Sequence, residues 1–61
     1  MNTTFIKSKI EELGLKKNFI AEKLDMNYNS FIDFLAGRID LRSKYIPKLA
    51  EILKVKIEDL F

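Results

Sequence analysis

The chain contains no cysteine, no histidine and no tryptophan. Without cysteine there are no disulfides, no thiolate chemistry and no Cys-rich zinc site. Without histidine the usual general base and the commonest metal-binding ring are missing. Only two glycines and one proline interrupt the sequence, and no Gly-rich phosphate loop is present. No apolar run exceeds three residues, as in Phe34-Leu35-Ala36, whereas a membrane-spanning helix needs about 20. The opening Met1-Asn2-Thr3-Thr4-Phe5-Ile6-Lys7 has no continuous apolar stretch of the signal-peptide kind. These absences point away from an enzyme, a metalloprotein and a membrane protein, and toward a cytoplasmic chain without cofactor, metal or small-molecule ligand. The adjacent acids Glu11-Glu12 and Glu58-Asp59 fall near helix ends, where solvated charge is the ordinary expectation.

What remains is 48% hydrophobic and 33% charged, the balance of a folded domain rather than a disordered tail. Sixty-one residues allow one domain, spanning 1–61. For so short a chain, apolar burial at about 25 cal/mol per Å² nearly cancels an ordering cost of about 1.5 kcal/mol per residue. Stability must therefore come from tight helix packing or from a second subunit.

The apolar spacing is helical throughout, with no sustained alternation of period two. Ile6, Ile10 and Leu13 predict a helix over about 4–13, capped by Asn2 or Thr3 and stopped by a left-handed Gly14, with Leu15 packing back on Ile10. Ile20, Ala21 and Leu24 predict a second over about 17–24. Asp25-Met26-Asn27 forms a turn, and Asn27 caps a third helix over about 28–35, with Phe31 and Phe34 inward. Residues 38–44 read as a loop. Pro47, which lacks a backbone donor, belongs in the first turn of a fourth helix over about 45–53. A last short helix covers 57–60. The expectation is an all-α domain of five helices.

Two short helices joined by a three-residue turn describe a helix-turn-helix. The run from Leu15 to Phe31, LKKNFIAEKLDMNYNSF, resembles the lambda-repressor-like (Cro/repressor, Xre) DNA-binding family. Ala21 stands at that family's small residue, and Ile20, Leu24, Met26, Phe31 and Phe34 stand at its apolar positions. Phe34-Leu35-Ala36-Gly37-Arg38 resembles its stop after the recognition helix, Pro47 to Val55 its fourth helix, and Ile57 to Phe61 its closing helix. Three positions depart from the pattern. Asp25 replaces the usual Gly, Lys16-Lys17 replace a capping Thr or Ser followed by Gln, and Lys56 replaces Ser.

The resemblance implies a compact lambda-repressor-like fold that binds double-stranded DNA as a homodimer, with the third helix in the major groove. Tyr28, Asn29, Asp33 and Lys17 would read bases. Asn29 suits adenine, and Tyr28 a phosphate or a thymine methyl. Asp33 either accepts from a cytosine amino group or is a solvated acid on the rim. Lys16, Asn27, Arg38, Arg42 and Lys44 would hold phosphates, with Lys48 open and Asn27 acting mainly as a cap. Lys16 and Lys17 oppose the macrodipole of the helix they begin, each by about 0.3–1 kcal/mol. A phosphate between them would remove that penalty, and solvation is the plain alternative. Ile32, Leu35, Ile39, Leu41, Tyr45 and Phe61 exceed what so small a core needs. Either the loop folds over them or they mark a self-association surface, for which Leu41, Tyr45, Val55, Ile57 and Phe61 are the candidates.

The net charge is only +2. Six cations (Lys16, Lys17, Arg38, Arg42, Lys44, Lys48) and two acids (Asp33, Asp40) give +4 on the face that the resemblance assigns to DNA. The remaining five cations and seven acids give −2. The sequence thus reads as a Cro-like regulator that binds a palindromic operator. The alternative is a protein-binding module on the same fold, such as an antirepressor or an antitoxin subunit.

Overall fold

Each helix begins and ends where local chemistry provides for its unpaired backbone groups. In the computed structural model, which describes residues 1–61, α1 spans Thr3–Glu12 and the Asn2 side chain accepts from the Phe5 N–H at 3.0 Å. α2 spans Lys17–Lys23 with no side-chain cap, as its two leading lysines dictate. α3 spans Tyr28–Leu35, and one Asn27 oxygen accepts from the N–H groups of Asn29 at 2.8 Å and Ser30 at 3.3 Å. α4 spans Ile46–Leu53, with Pro47 in its first turn.

The α-helices all stop by the same device. A left-handed residue ends each one: Gly14 (φ 68°), Asp25 (57°) and Gly37 (81°) directly after the cap, and Lys54 (58°) as the cap itself. The next N–H then reaches back to the carbonyl five residues earlier: Leu15 to Ile10, Met26 to Ala21, Arg38 to Asp33 and Val55 to Ala50. This is the Schellman arrangement, which satisfies the last carbonyls of a helix. Two of the four left-handed positions carry glycine and two do not.

The fold is all-helical, with no strand, but the expected fifth α-helix is absent. There are four α-helices and two 3-10 turns, Ser43–Tyr45 and Ile57–Leu60. The closing segment is too short for α-helical bonding to propagate and tightens into a single 3-10 turn. The Asp59 carboxylate accepts from the Lys56 N–H there at 3.2 Å, doing the capping that a lysine side chain cannot do. Tyr45, expected to open α4, instead ends the extra 3-10 turn.

Thirteen residues form the core, and all are apolar. Ile6 and Ile10 of α1, Ile20 and Ala21 of α2, Phe31, Phe34 and Leu35 of α3, and Leu49, Ala50 and Leu53 of α4 meet there. Ala21 lets α2 approach α3 closely, and those two helices share the most extensive contact of any pair. The Phe31 and Phe34 rings lie 6.2 Å apart at 41°, within the range of favourable aromatic pairs. Leu41 is also buried, at 8% exposure, so the loop after α3 is pinned to the core. No buried side-chain polar atom lacks a partner. The molecule measures 23 × 21 × 19 Å, and no helix is long and apolar enough to cross a membrane.

Candidate nucleic-acid interface

With Phe31, Phe34 and Leu35 turned inward, the opposite side of α3 faces solvent. Tyr28 is 48% exposed, Asn29 is exposed, and neither side chain takes part in an intramolecular hydrogen bond. Two candidate base-reading groups are therefore free on a helix whose other side is fixed by packing. Asn27 serves as the cap, its side-chain oxygen engaged by two backbone N–H groups.

Asp33 is not a free acid. Its Oδ1 accepts from the Arg38 Nε at 3.1 Å. The pairing follows from the helix stop, which sets the side chain after the left-handed residue beside the one five positions earlier. At the other three helix ends those two residues are apolar: Leu15 and Ile10, Met26 and Ala21, Val55 and Ala50. At the end of α3 they are an arginine and an aspartate. The pair is exposed, so it contributes at most about 1 kcal/mol. Its importance lies in charge: each side chain partly offsets the other, so neither Asp33 nor Arg38 stands as a lone charge.

Lys16 and Lys17 are both exposed at the start of α2, and neither forms an ion pair. Lys17 joins Lys7 of α1, Ile32 and Leu35 of α3 and the α3 cap residue Ala36 around a shallow depression of about 160 Å³. Arg42 is brought to the start of α3, where it shares a depression of about 330 Å³ with Asn27, Ser30 and Asp40. Lys44 is exposed and lies 5.1 Å from the Tyr45 ring centre. Lys48 is held at 3.7 Å by Glu51. The geometry thus brings together Lys17 with α3, Arg42 with Asn27, and Arg38 with Asp33.

Of the residues expected at a seam, Leu41 packs in the core and keeps 8% exposure where it lines the groove beside Phe61. Tyr45 and Val55 are half-buried and pack on the core, whereas Ile57 (45%) and Phe61 (66%) are exposed. Phe61 lines a groove of about 380 Å³ together with Met1, Ile39, Ile46 and Asp40. Met1 and Lys7 had no place in the sequence-based site, and Ile39 entered only among the surplus apolar residues. Lys7 is one α-helical position from buried Ile6, and only the crossing of α1 over α3 carries it toward Lys17.

No cluster of three or more acidic side chains is placed to hold a metal ion. No family model matches this chain, and no curated protein or solved structure matches it either.

Proposed function

We propose that this chain is a sequence-specific double-stranded-DNA-binding regulator of transcription, working as a homodimer with α3 in the major groove. The observation that carries the proposal is the two-sided character of α3. One side is locked by Phe31, Phe34 and Leu35, and the other presents Tyr28 and Asn29 without internal partners. A helix of about 10–12 Å diameter fits a groove about 12 Å wide. Lys17 and Arg42 lie beside it, and with exposed Lys16 and Lys44 they suit phosphates, which position a protein on the duplex while base contacts specify sequence. In this reading the protein acts by occupying its operator, and its own concentration governs the dimer.

Selection from a random duplex pool at moderate salt tests the proposal. The expected product is a palindrome with half-sites about 10–10.5 base pairs apart, centre to centre. Affinity should fall steeply with salt, and Lys17→Ala should lower the log–log slope by about 1. Undetectable duplex binding at low salt would refute it.

A second reading rests on the exposed apolar side chains of Ile39, Ile57 and Phe61. They suit a protein partner, as in an antirepressor or an antitoxin subunit. In that case a co-purifying partner would protect these three residues, and duplex would not bind.

A further inference from the structure

Nine apolar side chains in this protein are half-buried. Eight of them pack against the core, and Ile32 alone does not. It lies on the flank of α3, where with Leu35 and Ala36 it forms the apolar lining of the shallow depression bordered by Lys7 and Lys17. An apolar lining between two cations is poorly matched to water and poorly matched to another apolar surface. It does match the major groove. Phosphates supply charge for lysines at the rim, and the groove floor of unmodified DNA carries one apolar group, the C5-methyl of thymine.

We propose that Ile32 is a specificity-determining residue that reads a thymine methyl group. The inference rests on the DNA-binding reading above and adds the base. Asn29 and Ile32 are three residues apart on one helix, a rise of about 4.5 Å, against about 3.4 Å per base step. The two side chains therefore address neighbouring base pairs. Asn29 bonds adenine through its amide, and Ile32 covers the methyl of a thymine in the adjoining pair. Arg38, paired with Asp33 at 3.1 Å, partly offsets the negative charge next to Ile32.

The test uses the duplex recovered by selection, with each thymine replaced in turn by dU, which differs only in lacking the methyl. At one position per half-site the wild-type protein should bind about fourfold more weakly, the loss of one buried methyl. Ile32→Ala should bind the thymine and dU duplexes equally at that position while keeping its sensitivity elsewhere. Ile32→Val, which retains a branched apolar side chain, should keep the preference. Circular dichroism of each variant establishes that the fold is intact. If duplex binds but no position shows a methyl effect that Ile32→Ala removes, this inference is overturned and the DNA-binding reading stands. If no duplex binds at low salt, both are overturned.

Discussion

Replacing Lys54 by glycine and, separately, by alanine isolates the backbone cost of the stop at the end of α4. Lys54 sits at φ 58°, ψ 42°, a conformation that costs an L-residue roughly 1–2 kcal/mol. Its side chain is exposed and forms no ion pair, so both substitutions remove the same charge from the helix C-terminus. They differ in that glycine escapes the left-handed penalty but has a more disordered unfolded state, an offset of about 0.4–1 kcal/mol. The glycine variant should therefore be more stable than the alanine variant by about 1 kcal/mol. At about 2.1 cal/mol/K per residue, the unfolding entropy of a chain this short turns that into about 8 °C in Tm. Thermal unfolding followed by far-ultraviolet circular dichroism reads it directly. Asp25→Gly at φ 57° should gain less, because aspartate tolerates this region better than lysine. Equal melting temperatures for the two Lys54 variants, or a lower one for glycine, would refute the reasoning.

Asn27→Ala removes the acceptor for two N–H groups at the start of α3 and should cost about 1 kcal/mol, measured as a lower urea midpoint with unchanged m-value. Phe31→Ala opens the centre of the core, where Phe31 has 0% exposure. A loss of about 3–5 kcal/mol is comparable to the whole stability of a chain this short at about 0.05–0.15 kcal/mol per residue, so the variant should be largely unfolded at 25 °C by circular dichroism. Asp33→Asn should change stability by less than about 1 kcal/mol. It should also release Arg38 for phosphate, steepening the log–log salt dependence of duplex binding by up to about 1.

The four α-helices were legible because their signals are local. Ile6 and Ile10, Phe31 and Phe34, and Leu49 and Leu53 are spaced so that one face is buried, and Asn2, Asn27, Gly14 and Pro47 mark ends through their own backbone chemistry. Asp25 takes the left-handed turn without glycine, a conformation aspartate tolerates better than most residues. The loop after α3 was harder, because a segment without a period gives no rule for which side chain turns inward. Leu41 and Ile39 are two residues apart and equally apolar, yet one is buried and the other is 42% exposed. The Asp33–Arg38 pair was hidden for a related reason: five residues is no helical spacing, and only the stop at Gly37 closes that distance. Lys7 and Ile32 depend on how α1 crosses α3, which is a matter of tertiary packing.

The α-helices are 10, 7, 8 and 8 residues long. All are below the roughly 12–15 residues at which an isolated helix begins to hold in water. None of them has an independent existence, and a synthetic peptide covering residues 15–37 should be mostly coil. The surface that α3 presents thus lasts only while the whole core is intact, and it vanishes in one cooperative step rather than fraying. Any ligand of that surface draws on the folding equilibrium of the entire chain. A duplex that binds should raise the melting temperature as its concentration rises, which makes thermal unfolding a label-free measure of occupancy.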